Sequence, residues 1–278
     1  MTKITAAEVN KLRQTTGAGM MDCKKALTES NGDFEKAIDI LRKKGQKVAS
    51  KRADRQANEG VVIAKTNNDA TFAASIMLNS ETDFVAKNDE VITLAKNILD
   101  IALEKKAETL DELKKADING RSVEESITDM VGKTGEKLEL SCYEKVKGEK
   151  TFAYTHANNK VASIAAMNKK EANLIDEVGK DIVMQIAAMA PVSIDKDNVS
   201  QEIIDREIEI GKDQARQEGK PEELLEKIAL GKLNKFYKES TLLNQDFIKD
   251  SKKSVKQMIA EADKDLKVVE FKRLALGQ

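Results

Sequence analysis

The first fifty residues follow the pattern of three short amphipathic helices. Thr5 and Glu8 have the spacing of a capping box, which opens a first helix. A second helix is predicted after the glycine-rich turn at 17–19. Asp33 is placed to cap a third helix, whose apolar residues share one face: Phe34, Ala37, Ile38 and Leu41. This pattern predicts a compact three-helix module that ends near Gly45.

A strand hairpin followed by a long helix is predicted twice along the chain. The apolar runs 61–65 and 71–78 flank a polar turn, and a helix with a wide apolar stripe follows them. Strands are predicted again over 137–146, 152–156 and 161–167, followed by a helix over 171–190. We interpret this repeat as an internal duplication. The predicted fold class is therefore α+β, with two related subdomains built on antiparallel sheets.

After Pro191 the pattern changes to a helical hairpin that is broken at 219–221. Its apolar seam is too narrow to cover much core, so the two helices should pack mainly on each other. The seam residues are Ile204, Ile208, Gly211, Ala215, Leu224, Leu225, Ile228 and Leu233. A helix from Val255 and a strand from Val268 complete the tail. We predict five segments: 1–54, 55–136, 137–198, 199–240 and 241–278.

Composition is typical of a helix-rich, soluble protein, with 40% hydrophobic and 34% charged residues among 278. Lys and Arg number 47 against 48 Asp and Glu, so a global field for binding DNA is absent. The basic stretch 42–55 is interpreted as a linker or a solvated helix, and RNA contact is disfavoured because no aromatics are interleaved. The start Met1-Thr2-Lys3-Ile4-Thr5 contains no apolar signal segment, and no run approaches the ~20 apolar residues of a membrane span. We expect a cytoplasmic protein.

Catalytic chemistry finds little support in the sequence. Cys23 and Cys142 lie far apart and are interpreted as reduced, structural residues. The segment 132–134 reads Gly-Lys-Thr, but Ile127 stands where a phosphate-binding loop needs its first glycine. His156 is the single histidine, which leaves a nucleophile one imidazole partner at most. We therefore expect no cofactor, no metal and no direct nucleotide binding, and we rank an enzyme behind a binding protein.

The stretch Glu81–Asn88 sets a large aromatic residue, Phe84, in a polar segment directly after an apolar strand. The chain has 7 Phe, 3 Tyr and no Trp, so this aromatic is scarce and unusually placed. It could be presented outward, as aromatic anchors of partner-binding sites are. Alternatively, it could fold back as a hydrophobic staple onto the helix that begins near Asn88.

Two motifs, Thr82–Lys87 and Leu12–Leu27, resemble the elongation factor Ts family of bacteria. The segment Thr82–Lys87 reads Thr-Asp-Phe-Val-Ala-Lys, which is similar to the family signature. The segment Leu12–Leu27, followed by Asn-Gly-Asp at 31–33, resembles the family's N-terminus. The resemblance continues in the same order along the whole chain. It implies a ubiquitin-associated (UBA)-like N-terminal module, a core of two subdomains, an inserted coiled-coil hairpin and a C-terminal module that returns to the core.

The resemblance also implies a function and a mechanism. Family members are guanine-nucleotide exchange factors for elongation factor Tu, the GTPase that delivers aminoacyl-tRNA. The loop Thr82, Asp83, Phe84 and Val85 would press against the GTPase near its magnesium ion. Phe84 would enter between helices with support from Asp83, so that magnesium and phosphate contacts loosen and GDP leaves. The chain itself would then have no active site.

Further partner-binding residues follow from the resemblance, each with a plainer alternative. Met20, Met21 and Lys24 match the part that contacts the nucleotide-binding domain. Other domains of the GTPase would contact Gly135, His156, Phe247 and Ile248. The alternatives are core packing for the methionines, Phe247 and Ile248, a solvated charge for Lys24, a turn for Gly135 and a structural role for His156.

The chain departs from the family pattern at several positions. Ser80 and Glu81 stand where relatives often have Cys and Gln, and Thr134 stands where an aliphatic residue is common. Lys249 replaces an apolar residue of the tail. These departures affect the secondary contacts more than the central loop.

A second function class is a protein-binding adaptor, in which the N-terminal helical module recognises a helix or a ubiquitin-like surface. Alanine at Asp83 and Phe84 separates the two classes, since an adaptor would lose nothing specific. The predicted hairpin resembles the family's coiled-coil insertion, which suggests a contact or assembly role. It could equally be a solvated connection, and the sequence leaves that choice open.

Overall fold

A computed structural model describes residues 4–277, so Met1, Thr2, Lys3 and Gln278 lie outside the described residues. The predicted N-terminal helices are α1 Ala6–Thr16, α2 Met20–Glu29 and α3 Phe34–Arg52. Thr5 and Glu8 form the predicted capping box, and the Asp33 side chain accepts a hydrogen bond from the Lys36 N–H. The three helices enclose a small core of Val9, Leu12, Cys23, Ala26, Leu27 and Ala37.

Helix α3 continues past Gly45 to Arg52, so the predicted end of the helical module was wrong. The basic stretch is thus a solvated helix over most of its length. Gly45 lies within α3, where it faces Gly132 at close range. A Cβ atom built on Gly132 would lie 2.9 Å from the Gly45 Cα. The two glycines let α3 cross a later helix at close range, and a side chain at Gly132 would push the backbones apart.

The first sheet begins with the predicted hairpin, β1 Glu59–Thr66 and β2 Phe72–Ser80, paired antiparallel. Its third strand, β5 Leu138–Lys147, pairs with β2, so the strand order is β1-β2-β5. Helix α5, Asp89–Lys105, covers one face with the predicted apolar stripe, and its buried residues share a core with the sheet. The intervening elements, in chain order, are α4 Asp83–Ala86, α5 Asp89–Lys105, α6 Leu110–Lys115, β3 Asp117–Ile118, β4 Arg121–Ser122, α7 Val123–Thr134 and β5 Leu138–Lys147.

The second sheet repeats the plan with β6 Lys150–Thr155, β7 Val161–Met167 and the covering helix α8 Ile175–Met189. Strands β6 and β7 are antiparallel. Helix α8 packs against β6 and β7 through a second core that includes Phe152, Ile182 and Ile186. The predicted mixture of helices and antiparallel sheets, the α+β class, is confirmed.

The predicted helical hairpin consists of α9 Gln201–Gln217 and α10 Glu222–Ser240. Gly211, Ala215, Leu225 and Leu233 are buried along the seam as expected, whereas Leu224 is exposed, so that assignment was wrong. A Cβ atom on Gly211 would lie 3.1 Å from the Ala229 Cα, so the helices approach closely there. None of the described helices is long and apolar enough to cross a membrane.

The tail returns to the second sheet. It contains a small antiparallel pair, β8 Asp246–Phe247 and β9 Asp250–Ser254, then α11 Val255–Ala262 and β10 Val268–Ala275. Short 3-10 helices lie at Lys196–Asn198 and Leu242–Asn244. Strand β10 pairs antiparallel with β7, which gives the strand order β10-β7-β6. The predicted tail helix and strand are therefore confirmed.

The strand predicted over 137–146 belongs to the first sheet, although the sequence analysis placed it in the second subdomain. Each sheet is thus a hairpin plus one strand from farther along the chain, β5 or β10. Local patterns identify a strand but do not specify which sheet edge it will pair with, and this is why the assignment failed. The five-segment division itself stays a prediction.

Candidate partner-binding site

Phe84 lies on α4, a four-residue helix between β2 and α5, with 83% of its surface exposed. The Thr82 hydroxyl caps this helix by accepting a hydrogen bond from the Val85 N–H. Val85 packs against the first core and Ala86 is buried, so the helix is seated on its neighbours while Phe84 faces outward. The outward placement of Phe84 is confirmed, and the staple interpretation was wrong because α5 leaves the ring uncovered.

Two glutamates fix the segment that precedes Phe84. The Glu136 carboxylate accepts hydrogen bonds from the Thr82 N–H at 3.1 Å and from the Thr82 hydroxyl at 2.9 Å. The Glu81 carboxylate accepts from the Lys137 N–H at 2.6 Å and from Arg52 Nη1 at 2.8 Å. The buried Ser80 hydroxyl donates to the Thr82 carbonyl at 2.8 Å. The short helix is therefore attached to segments that are distant in the sequence.

The carboxylates of Asp83 and Glu81 stay ionised near neutral pH. The Lys87 ammonium bonds the Asp83 carboxylate at 2.6 Å, and this hydrogen bond is the main reason that the pKa of Asp83 lies below its ordinary value. The pKa of Glu81 is lowered chiefly by the Lys137 N–H and then by Arg52. An ionised carboxylate is favoured by donors that bond its charged form.

A turn of the second sheet lies against the same site. Lys160 forms an ion pair with Glu59 at 2.9 Å, and the Val62 N–H donates to the Asn159 carbonyl at 2.7 Å. A small hollow is lined by this turn together with Asp83 and Lys87. The exposed aromatic is thus presented where both sheets meet. Within residues 4–277, no three His, Cys, Asp or Glu side chains are grouped so that they could hold a metal ion.

Comparisons with known proteins identify the family. The family model described as Elongation factor TS matches residues 81–278. The chain is 51% identical to Elongation factor Ts of Christiangramia forsetii over 277 residues, which cover 100% of both chains. It is 51% identical to Elongation factor Ts of Cytophaga hutchinsonii, again over 100% of both chains. It is 49% identical to that of Porphyromonas gingivalis, over 99% of this chain and 98% of the relative.

This chain belongs to the elongation factor Ts family. The relatives match from end to end, which includes the N-terminal helices that lie outside the family model. The chain therefore has the role of a translation elongation factor in protein biosynthesis. The resemblance that the Thr82–Lys87 and Leu12–Leu27 motifs indicated is confirmed.

The family-derived residues of the N-terminal module lie on its surface. Met20 and Met21 begin α2 and are 55% and 74% exposed, so their interpretation as core residues was wrong. Lys24 is exposed on the same helix. Two adjacent methionines at the surface form a flexible apolar patch of the kind that suits a partner surface. Their role as partner contacts stays a prediction.

Gly135 and His156 occupy different structural settings. Gly135 ends α7 in the left-handed conformation, with φ of 72°, so its interpretation as a turn residue is confirmed. The glycine also places Glu136 beside Thr82, where that carboxylate braces the Phe84 helix. His156 is exposed, and its Nδ1 lies 2.9 Å from the Tyr154 hydroxyl. A partner contact through either residue stays a prediction.

Phe247 is 5% exposed and packs in the second core, which confirms its interpretation as a core residue. It is therefore not on the surface, in contrast to its neighbour Ile248, which is exposed. The Ile248 N–H donates to the Gln185 side chain at 2.9 Å, so the segment is held against α8. Only Ile248 of the two presents its side chain for a partner contact.

The departures from the family pattern have structural explanations. The Thr134 hydroxyl donates to the Met130 carbonyl and helps to end α7, so residues 132–134 form a helical turn instead of a phosphate-binding loop. Lys249 forms an ion pair with Asp181 of α8 at 2.6 Å. Glu81 is the anchor described above. Neither Glu136 nor Arg52 was singled out from the sequence, because their partners are 54 and 29 positions away.

Proposed function

We propose that this chain is a guanine-nucleotide exchange factor for elongation factor Tu, a protein partner and no enzyme of its own. It would bind the GDP form, disturb the magnesium and phosphate contacts and release GDP, so that GTP can bind. The observation that supports this best is the exposure of Phe84, at 83%, on a helix that is braced on both sides. A large aromatic held outward has the properties of a binding anchor.

Thermodynamic linkage explains how binding alone can accelerate release. A protein that binds the nucleotide-free GTPase more tightly than the GDP form must weaken GDP by the same factor. Burial of one Phe side chain contributes about 1.5–3 kcal/mol. A ten-thousandfold weakening of a ligand requires about 5.5 kcal/mol. Phe84 must therefore act together with other contacts.

Several exposed residues are available for those contacts. Met20, Met21 and Lys24 lie on α2, His156 lies at the end of the β6 strand and Ile248 lies beside α8. We assign Thr82 and Asp83 to the loop itself, where Thr82 caps α4 and Asp83 presents a charge beside Phe84. Val85 supports the helix from the core side. No nucleotide, DNA, RNA or membrane contact is part of the proposal.

Release of a fluorescent GDP analogue from elongation factor Tu tests the function, with magnesium present and the chain titrated in. The wild-type chain should raise the release rate strongly. The D83A/F84A variant should keep its circular dichroism spectrum and lose most of the stimulation, because the anchor and its neighbouring charge are gone. A matched control is Leu174→Ala, which removes another exposed apolar side chain and should leave the rate unchanged.

The adaptor alternative is favoured by one observation, the exposure of Met20 and Met21. In that case the M20A/M21A variant of the full chain should lose binding to its partner, while D83A/F84A binds normally. Full stimulation of GDP release by folded D83A/F84A would refute the exchange mechanism. Absence of any acceleration by the wild-type chain would favour the adaptor.

A further inference from the structure

Three segments that are distant in the sequence meet at the base of the Phe84 helix. They are the end of α3, the connection between β2 and α4, and the residues that directly precede β5. Four residues join them, namely Arg52, Glu81, Glu136 and Lys137, which we call the clamp. Arg52 Nη1 lies 2.8 Å from both Glu81 carboxylate oxygens, and the Lys137 side chain donates to the Ala53 carbonyl at 2.9 Å.

The clamp is more than an ordinary surface ion pair. The Glu81 side chain is only 16% exposed and accepts from both a side chain and a backbone N–H. Glu136 accepts from both donors of Thr82. Hydrogen bonds to ionised carboxylates are among the stronger ones in proteins, particularly where water has limited access.

A four-residue helix cannot hold its own orientation, because isolated turns of helix are unstable in water. The orientation of Phe84 therefore depends on the core contacts of Val85 and Ala86 and on what holds the first turn of the helix. That grip is the Thr82 to Glu136 pair on one side and the Glu81 anchor on the other. Through Arg52, the grip extends to α3 of the N-terminal module.

We propose that Arg52, Glu81 and Glu136 are positioning residues that set the orientation of the Phe84 helix. In this role, the Arg52 to Glu81 ion pair connects α3 of the N-terminal module to the loop that contains Phe84, so the module helps to orient that loop. The proposal rests on the exchange function for its kinetic consequence. Its structural consequence, the order of the helix, is independent of that function.

Amide hydrogen exchange in the full chain tests the structural consequence. The Ala86 and Lys87 N–H groups bond the Thr82 and Asp83 carbonyls at 3.2 and 3.0 Å. Glu136→Gln, Glu81→Gln and Arg52→Gln should each speed exchange of these two amides, while amides in the centre of α5 keep their wild-type rates. Lys51→Gln, at an exposed neighbour on α3, is the control and should change neither set.

Unchanged exchange at Ala86 and Lys87 in Glu136→Gln and in Glu81→Gln would overturn the proposal. Faster exchange at every amide, including α5, would show a loss of global stability and would also count against local positioning. This measurement needs no partner, so it decides on the clamp even if elongation factor Tu does not respond to the chain.

The kinetic consequence is that the clamp variants should lower the maximal rate of GDP release without changing the concentration of chain that gives half of that rate. Glu136→Gln should lower the maximal rate of GDP release about tenfold, since the ionised acceptor of both Thr82 hydrogen bonds is replaced by a neutral amide with a single acceptor oxygen. Arg52→Gln and Glu81→Gln should each lower it by up to about fivefold, as expected for a partly exposed pair. The double variant Arg52→Gln/Glu81→Gln should be no slower than the slower of its two single variants, and Arg52→Lys should recover part of the loss seen in Arg52→Gln.

The half-saturating concentration should stay near the wild-type value in all of these variants. Additive losses in the double variant would contradict the coupling. If the wild-type chain accelerates release and the variants match it, the clamp has no role in exchange. If the wild-type chain fails to accelerate release, the proposed function is refuted, and the hydrogen-exchange result still decides whether the clamp orders the helix.

Discussion

The two sheets share one plan, but the connections that lead from each hairpin to its covering helix differ. The first connection, between β2 and α5, contains α4 and presents Phe84 outward. The second, between β7 and α8, contains no aromatic residue. It ends at Leu174, which is 54% exposed and has a positive φ of 54°.

Both connections are braced by distant charged groups. In the first, Glu81 accepts from the Lys137 N–H and Thr82 donates to Glu136. The second is held to the tail, where Lys169 bonds Asp263 at 2.7 Å and Asn168 donates to the Asp265 carbonyl at 2.9 Å. A bracing network is thus common to the two halves, whereas an outward aromatic is specific to one. Repetition of a sheet and helix therefore did not repeat the candidate site.

The largest expected effect concerns stability in the second half. Phe247→Ala should lower the free energy of unfolding by about 3–5 kcal/mol, because it empties a buried aromatic position in the second core. Phe84→Ala should change it by less than about 0.5 kcal/mol, since the ring is exposed. Urea denaturation of both variants measures the difference, and similar losses would contradict the assignment of Phe84 as a surface residue.

The next largest effect is on function, where the substitution in the first half should matter and the one in the second half should not. Phe84→Ala alone should lower the stimulation of GDP release at least about thirtyfold, the size expected for an aromatic hot spot. Leu174→Ala, at the end of the second connection, should have no effect on the rate. Stopped-flow release of the GDP analogue measures both. Equal losses in the two variants would mean that exposure of an apolar side chain, not the first connection itself, is what matters.

A smaller effect distinguishes the covering helices. Helix α8 contains Gly179, where a Cβ atom would lie 2.2 Å from the Phe152 ring, whereas α5 contains no glycine. Gly179→Ala should therefore lower the free energy of unfolding by about 1–3 kcal/mol through overpacking. Thermal denaturation measures it, with the exposed neighbour variant Lys180→Ala as the control. A neutral or stabilising Gly179→Ala would show that Phe152 can move aside at no net cost.

The smallest effect is the acid sensitivity of the Glu81 contacts in the first connection. The pKa of Glu81 is lowered in the folded chain, so its contribution is present above its ordinary value of 4.5 and is lost as pH falls through the lowered pKa. The difference in unfolding free energy between wild type and Glu81→Gln should be at most about 1 kcal/mol at pH 7 and should shrink as the pH falls below 4.5 through the lowered pKa. Urea denaturation across this range measures it, and a difference that grows with acid would contradict the sign.

The same direction of pH dependence is expected for the Lys169 to Asp263 contact in the second connection. The pKa of Asp263 is lowered mainly by its hydrogen bond from Lys169. Asp263→Asn should therefore also approach wild-type stability as pH falls. A variant pair that behaves alike at both connections would support the view that bracing is the shared feature.

Local patterns predicted the elements well because they depend on neighbours in the sequence. The capping box at Thr5, the cap at Asp33 and the stripe of α5 all involve residues within a few turns of one another. The exposed position of Phe84 was one of two interpretations, since spacing alone does not distinguish an outward ring from a staple.

The sequence by itself determined the fold class and the family, and it singled out the segment that contains Phe84, whereas the structure decided that this ring faces outward. Only the tertiary structure decided that β5 joins the first sheet, that Gly45 is a crossing point of helices, and that Phe247 is buried. It also brought Arg52, Glu81 and Glu136 together from distant positions. The physical reason is that capping and amphipathic periodicity are local, whereas strand pairing, helix crossing and carboxylate anchoring depend on which distant surfaces the chain brings into contact.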